Sequence, residues 1–402
     1  MNTMHIVQPE PLSMKQDFTF EKTKTDVING IERAWVSWRV KFTILVVALR
    51  CYGSLLKAIK ATREFSKFKE AIYGKKQIRR CCKKNGKYYF GLYVPGFPSA
   101  IFERYIQTEL NNLIPHSRPV NGIQVLQLAI TNRCALRCEH CFEWNNLNKA
   151  EAFSDEEMKL LINKFQESGC AQFHLTGGEP MVKMKRIRYL LREARTDSEF
   201  FIVTSGFNVT KENAKQLKSA GVTGVIISLD HFDSSVHNIF RGSAHAYEDA
   251  ISAANNAKAA GLLTAFSVCL TRSFVTRENL FTYLELARNC GVAFVQLLEP
   301  KAVGHYEGKP VLLGKEHLDI VEEFYLTVNF EKAYHDYPVV VYHGFHQRRI
   351  GCMSGGKMVM YIDSAGYVDA CPFCQTRNHH ASEIVTGDLK LSNLIISGCP
   401  VY

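Results

Sequence analysis

From Ile123 onward, short apolar runs alternate with amphipathic stretches. Apolar strands are expected near residues 123–130, 171–175, 200–204, 223–229, 263–270 and 292–298, each followed by a helical pattern. One helix start is fixed by the capping box Ser154-Asp-Glu-Glu157. Six strand–helix repeats imply an α/β fold with a parallel sheet, rolled into a partial (β/α)6 TIM-like barrel over residues 121–300. In such barrels functional groups stand in the loops after the strand C-termini. Cys134, Gly177, Ser205, Asp230, Arg272 and Glu299 follow the six strands in that order.

The pattern upstream is different. Trp35, Trp38, Phe42, Leu45, Leu49, Tyr52, Leu56 and Ile59 recur every three or four residues and predict one helix with all eight on a single face. Arg50 and Gly53 interrupt the apolar run before it reaches the roughly 20 residues that span a bilayer. Lys87 to Pro98 reads as a short strand ended by prolines, and Ile101 to Leu113 as a second helix. The chain is therefore divided into a mobile tail (1–28), a mainly helical basic N-terminal region (29–120), the barrel (121–300) and a small cysteine-rich C-terminal segment (301–402).

Charge sharpens that division. Residues 1–120 hold 21 Lys and Arg against 9 Asp and Glu, and between Arg33 and Lys87 the balance is 16 to 2, while the remainder of the chain is nearly neutral. Arg39, Lys41, Arg50, Lys57 and Lys60 flank the apolar helix face, and Lys75-Lys76-Gln-Ile-Arg79-Arg80-Cys-Cys-Lys83-Lys84 adds a basic cluster. An interfacial helix on an anionic membrane surface is one expectation; a helix packed on the barrel with a solvated basic face is the other. RNA ranks lower, because the aromatics share the apolar face instead of interleaving with the charges as a stacking platform. Met1 to Glu32 lacks the apolar core of a secretory signal, and thirteen cysteines without one point to metal or redox chemistry in a reducing cytoplasm. Peripheral attachment to the inner face of the membrane goes with that expectation.

The densest chemistry lies in Ile130-Thr-Asn-Arg-Cys134-Ala-Leu-Arg-Cys138-Glu-His140-Cys141-Phe142. Three close thiols leave one position of a tetrahedral zinc site open, whereas a 4Fe-4S cube held by three thiolates keeps one iron free for an added ligand. This stretch resembles the radical SAM (S-adenosylmethionine) enzymes. The resemblance implies that Cys134, Cys138 and Cys141 hold a 4Fe-4S cluster that binds S-adenosylmethionine and cleaves it to a 5′-deoxyadenosyl radical. It also implies a reductant such as flavodoxin or ferredoxin. His140 stands where the family usually has an aromatic packed on the adenine. Thr176-Gly177-Gly178-Glu179-Pro180 after the second strand is similar to the family's G-G-E-P, which assigns Gly177, Gly178, Glu179 and Pro180 to the cofactor's amino group. Thr204-Ser205-Gly206 resembles T-N-G with Ser205 in place of asparagine. Ile227-Ser228-Leu229-Asp230 implies ribose and substrate contacts by Ser228 and Asp230. Arg241 is assigned to the cofactor's carboxylate, with a structural ion pair as the alternative. No glycine-rich adenine motif follows strand five.

Near the C-terminus, Cys352, thirteen residues, Gly366, four residues and Cys371 resemble the opening of the auxiliary-cluster module called SPASM, or twitch in its shorter form, and Cys374 and Cys399 are two further thiols. A hairpin turned at Gly366 is expected to bring Cys352 beside Cys371, and the resemblance implies a second 4Fe-4S cluster on Cys352, Cys371, Cys374 and Cys399. Zinc, or a Cys-Pro-Phe-Cys thiol–disulfide pair, are the alternatives. Cys51, Cys81, Cys82, Cys170, Cys269 and Cys290 read as packing residues. The substrate implied is a peptide or protein side chain, or a membrane-associated lipid, with RNA below these. A non-catalytic iron–sulfur or zinc protein is the reading from another class.

Overall fold

The structure is a computed structural model that describes residues 26–73, 80–118, 122–352, 358–391 and 394. The six expected strands are present as β4 (Val125–Ala129), β5 (Gln172–Thr176), β6 (Glu199–Thr204), β7 (Val222–Ser228), β8 (Leu263–Cys269) and β9 (Phe294–Leu298). They pair in parallel, each with the next in sequence. Between and after them run α4 (Asp155–Glu167), α5 (Met184–Glu193), α6 (Lys211–Ser219), α7 (Ser234–Arg241), α8 (Ala246–Ala259), α9 (Arg277–Asn289) and α10 (Lys315–Phe330). The capping box at Ser154 forms: Ser154 Oγ accepts from Glu157 N at 3.3 Å, and the Glu157 carboxylate accepts from Ser154 N at 2.8 Å.

The sheet is wider than the sequence pattern indicates. β10 (Val339–Tyr342) adds in parallel beside β9. At the opposite edge, β11 (Val359–Ile362) pairs in parallel with β4, and β12 (Tyr367–Asp369) and β13 (His379–His380) continue it antiparallel. The order β10-β9-β8-β7-β6-β5-β4-β11-β12-β13 is open, not a closed barrel. The C-terminal cysteine-rich segment is thus built into the edge of the barrel sheet. Two more helices, α11 (His343–Ile350) and α12 (Ala381–Thr386), flank these edges.

Strands buried on both faces need apolar cover on both sides. Helices cover the outside. Toward the strand N-termini, Tyr89 and Leu92 from the N-terminal region pack with Phe201, Leu263, Phe294 and Val339.

That N-terminal region departs from expectation in three ways. First, the long helix is two: α1 (Gly30–Tyr52) closes at Gly53, whose N–H returns to the Leu49 carbonyl, and α2 (Leu55–Tyr73) folds back against it. The buried face of α1 is Val36, Ile44, Val47, Ala48 and Cys51, packed with Phe65 of α2 and Phe102 and Ile106 of α3 (Ala100–Leu113). Trp35, Trp38, Phe42 and Leu56 are exposed. Because α1 is apolar around much of its circumference, spacing alone did not say which stripe faces inward. Second, Val27 and Ile28, assigned to the tail, form β1 against Cys81–Cys82 of β2 (Cys81–Lys84), which turns into β3 (Lys87–Tyr89). Third, Arg80, counted with the basic surface cluster, is buried. Its guanidinium donates to Val328 O at 2.9 Å, Asn329 Oδ1 at 3.1 Å and Tyr337 O at 3.2 Å, fastening this region to the end of α10. Residues 1–25 and the run Lys75–Arg79 lie outside the described residues. Among the described residues no helix is long and apolar enough to cross a membrane.

Candidate active site

The cysteine loop leaves the C-terminal end of β4, and each side of it is tied down. Asn148 braces its start: Asn148 Nδ2 donates to Cys134 O at 3.1 Å, and Cys134 N donates to Asn148 Oδ1 at 3.2 Å. The end of α7 grips the middle, with Arg137 N donating to Arg241 O at 3.2 Å and Glu139 N to Phe240 O at 2.9 Å. The segment after β9 holds the far end, where His305 N donates to Cys141 O at 2.9 Å and the His305 ring stacks on Trp144 at 3.9 Å. Gly304 is required there, since a Cβ would run into the Cys141 carbonyl and the Phe142 backbone, and its φ of +58° already favours glycine.

Cys134, Cys138 and Cys141 gather in one small cluster with Leu136 and Ala246. Burial pushes the thiols of Cys134 and Cys141 up to about 12, and that of Cys138 upward as well. Thiols in such a setting become thiolates when a cationic group arrives to take them. Among the described residues, no three His, Cys, Asp or Glu side chains stand close enough to share a single metal ion. The donor set of three soft thiolates on one loop fits a 4Fe-4S cluster.

His140, between the second and third cysteines, stacks on Phe240 at 4.7 Å with the rings 10° apart. Burial pushes its pKa down to about 4, so the ring is neutral, and its Nδ1 is buried without a partner.

Gly178 and Glu179 run alongside the same loop. Gly178 N donates to Thr131 O and Glu179 N to Arg133 O, both at 2.8 Å, and a Cβ on Gly178 would collide with the Arg133 carbonyl. Pro180 opens a short 3-10 turn, Pro180–Lys183. The Glu179 carboxylate is deeply buried and accepts from Met181 N (3.0 Å), Thr204 Oγ1 (2.7 Å), Ser205 N (2.8 Å) and Ser205 Oγ (2.6 Å). Desolvation raises its pKa, and these four donors act against that rise. Ser205 therefore sits on Glu179 and fixes its orientation.

Asp230 and Arg241 meet as a buried ion pair, with Arg241 Nε and Nη2 each 2.6 Å from Asp230 Oδ2. Asp230 Oδ1 accepts from Cys269 N at 2.9 Å. Burial is the largest single influence and raises the Asp230 pKa, but the Arg241 charge together with His140, His237 and the Cys269 N–H brings the net direction down. Arg241 Nη1 lies 3.6 Å from Cys138 Sγ. Arg241 forms the ion pair weighed as one of its two roles. His237 Nδ1 accepts from Asp230 N at 3.0 Å, and Ser228 ends β7 half-buried. Of the remaining strand-end groups, Glu299 is held by Tyr342 at 2.8 Å, Lys301 at 3.3 Å and Arg348, whereas Arg272 is exposed and donates to Leu312 O, away from the loop.

The C-terminal hairpin closes on the cysteine loop through a residue the sequence reading missed. Glu143, two positions past Cys141, is buried and accepts from Tyr361 Oη and Ser364 Oγ of the hairpin and from Asn146 Nδ2 at 3.1 Å. Gln375 Nε2 donates to Phe142 O at 3.1 Å. Gly366 turns the hairpin as expected, and Cys371 and Cys374 face each other across a tight turn with Cys374 N donating to Cys371 O at 3.0 Å. The Cys374 hydrogen bond pulls the Cys371 thiol below its usual pKa, while Cys352 is close enough for its charge to oppose that. No helix opens at Cys371, which removes the local setting a thiol–disulfide pair uses. Cys399 lies outside the described residues. The six cysteines read as packing residues are all buried.

Residues 128–287 match the family described as the Radical SAM superfamily. The AdoMet-dependent heme synthase of Nitratidesulfovibrio vulgaris is 30% identical over 204 residues, covering 49% of this chain and 54% of the relative. The PqqA peptide cyclase of Granulibacter bethesdensis is 26% identical over 270 residues, covering 64% of this chain and 68% of the relative. The chain thus spans about half the length of the heme synthases it matches, 54% and 51%. Among solved structures, Streptococcus suis SuiB bound to its precursor peptide SuiA shares the fold at a TM-score of 0.53 and 14% identity, over 89% of this chain and 79% of that one. The matched residues hold the cysteine loop and its Gly178–Glu179 neighbour, so residues 128–287 of this chain are similar to a superfamily that uses a 4Fe-4S cluster and S-adenosylmethionine.

Proposed function

We propose that this chain is a radical SAM enzyme that removes hydrogen from a peptide or protein side chain. One observation carries the reading: the three-cysteine loop and the Gly178–Glu179 strand end are hydrogen-bonded to each other, so the two motifs form one site. When bound, the cluster and S-adenosylmethionine supply a 5′-deoxyadenosyl radical capable of taking an unactivated hydrogen atom. In this reading Cys134, Cys138 and Cys141 hold the cluster. Gly177, Gly178 and Glu179 receive the amino group, with Pro180 shaping the turn. Ser205 and the Asp230–Arg241 pair keep the surrounding charges in place. Ser228 and His140 border the rest of the cofactor.

The choice of peptide rests on the similarity to a peptide cyclase and to a peptide-bound fold neighbour. A membrane-associated lipid is the second reading, favoured by the exposed aromatic stripe of α1. The cleavage needs an electron donor such as flavodoxin or ferredoxin, which goes with a reducing cytoplasm. Cys352, Cys371 and Cys374, with Cys399, would hold an auxiliary cluster. The test is anaerobic reconstitution with iron and sulfide, then S-adenosylmethionine and dithionite. Formation of 5′-deoxyadenosine and methionine, abolished by Cys138→Ala, supports the proposal, and deuterated peptide and lipid pools then identify the hydrogen donor. Metal retention without cleavage would leave a non-catalytic metal protein.

A further inference from the structure

α1 carries two apolar stripes, and among the described residues only one packs into a core. Val36, Ile44, Val47 and Cys51 face the N-terminal core, while Ile31, Trp35, Trp38 and Phe42 point away from it with 90%, 51%, 62% and 56% of their surface exposed. Spacings of four, three and four place these four side chains on one line along the helix. Trp38 and Phe42 stack at 5.8 Å, 12° from parallel, so the stripe is an ordered surface with neighbouring rings already in contact. A contiguous exposed patch of large aromatics on an otherwise well-packed unit marks a contact surface.

The surrounding charge decides what it contacts. Lys41 is exposed on one flank of the stripe, and on the other the Arg39 guanidinium lies 4.6 Å over the Trp35 ring. The adjoining helix α2 presents Lys60, Arg63 and Lys67, all exposed and spaced by three and four, so they form a basic line of their own. Lys67 is shared with Glu64 at 2.8 Å, but Glu64 and Glu70 are the only acidic residues from Arg33 to Lys87. Aromatic rings beside long cationic side chains suit one surface in particular. Tryptophan and phenylalanine seat at the boundary between headgroups and acyl chains, and lysine and arginine reach the phosphates. A second copy of this chain would bring the same positive charge and be repelled.

We propose that the Ile31–Trp35–Trp38–Phe42 stripe of α1 docks on an anionic lipid bilayer, with Arg39 and Lys41 on its flanks reaching the headgroups. This goes beyond the proposed catalytic reading and does not depend on it. The measurement is co-sedimentation of the full reconstituted chain with vesicles of 70% phosphatidylcholine and 30% phosphatidylglycerol at about 0.1 M salt, against pure phosphatidylcholine. The expected result is selective binding to the anionic vesicles with a blue shift of tryptophan emission, read in a Trp144→Phe background so that only Trp35 and Trp38 report. The triple variant Trp35→Ser/Trp38→Ser/Phe42→Ser should lose at least tenfold in partitioning at an unchanged melting temperature. Lys41→Gln, which leaves the stripe and the core untouched, should lose binding mainly at low salt. Equal partitioning of wild type and the triple variant, or no emission shift with anionic vesicles, overturns the proposal. So does a stable lipid-free dimer that the triple variant dissolves, because the stripe would then be covered by a second copy.

Discussion

Arg241 places two guanidinium nitrogens on a single oxygen of Asp230, each at 2.6 Å, and leaves the third 3.6 Å from the Cys138 sulfur. The buried pair links the loop after β7 to the middle cysteine. Removing one member of a buried pair strands the other charge, at a cost of about 3–5 kcal/mol. Asp230→Asn should therefore lower unfolding stability by about 3 kcal/mol. The double variant Asp230→Asn/Arg241→Leu should recover part of that, because no uncompensated charge remains. Urea unfolding of the two proteins checks this, and additive losses would mean that the two residues act independently.

A second prediction concerns acid. His174 is buried in β5, its Nε2 has no partner, and burial pushes its pKa from 6.5 down to about 3. The folded pKa lies below the unfolded one, so the unfolded chain binds a proton that the folded chain refuses. The stability is complete above pH 6.5 and falls as the pH drops toward 3, approaching about 1.4 kcal/mol per pH unit for this one group. Unfolding free energies at pH 7.5, 6.5 and 5.5 should decline in that order, and His174→Phe should flatten the decline by close to one proton. An unchanged slope in the variant would remove His174 as the cause.

The barrel was legible because its code is local. Six buried strands with helices between them leave a periodic trace, and the cysteine and Gly-Gly-Glu-Pro motifs sit on the loops that trace predicts. What was not legible depends on contacts between distant segments. Val359–Ile362 reads as a short apolar run, and nothing in it announces a parallel partner in Val125–Leu128 more than 200 residues earlier. Arg80 looks like one cation among many until Val328 and Asn329 are seen to receive it. Trp35 and Val36 are both apolar neighbours on α1, and only the position of α2 and α3 decides that valine goes inside and tryptophan outside. Glu143 carried the weakest signal, an acid two residues past a metal-type cysteine, and its role appears only when Tyr361 and Ser364 fold over it.

Gly304 offers a sharper test of how the cysteine loop is held. Alanine there would push its Cβ into the Cys141 carbonyl and the Phe142 backbone, so the loop must yield. Gly308 is a control in the same segment, with a φ of +72° but open space around it. Both substitutions carry backbone strain on the order of 1–2 kcal/mol, but only Gly304→Ala should displace Cys141. Iron bound after reconstitution should fall by half or more in Gly304→Ala and stay near wild type in Gly308→Ala. Equal iron in both would show that the loop tolerates the intrusion.

The last prediction separates the two thiol sets. Cys371 and Cys374 sit in the turn that follows the β11–β12 hairpin, and Glu143 ties that hairpin to the cysteine loop, so the sets are neighbours in the fold but use different cysteines. If the C-terminal thiols hold a cluster of their own, wild type should bind about eight irons per chain after anaerobic reconstitution, and Cys371→Ala/Cys374→Ala about four. The double variant should still cleave S-adenosylmethionine, because Cys134, Cys138 and Cys141 remain. Cys134→Ala/Cys138→Ala/Cys141→Ala should show the converse, about four irons and no cleavage. Four irons in wild type together with one zinc would assign the C-terminal thiols to zinc, since a tetrahedral ion takes the same four sulfurs. Loss of cleavage in the C-terminal variant at unchanged folding would instead show that the hairpin positions the first cluster through Glu143, a role that Glu143→Gln should then reproduce with all thiols intact.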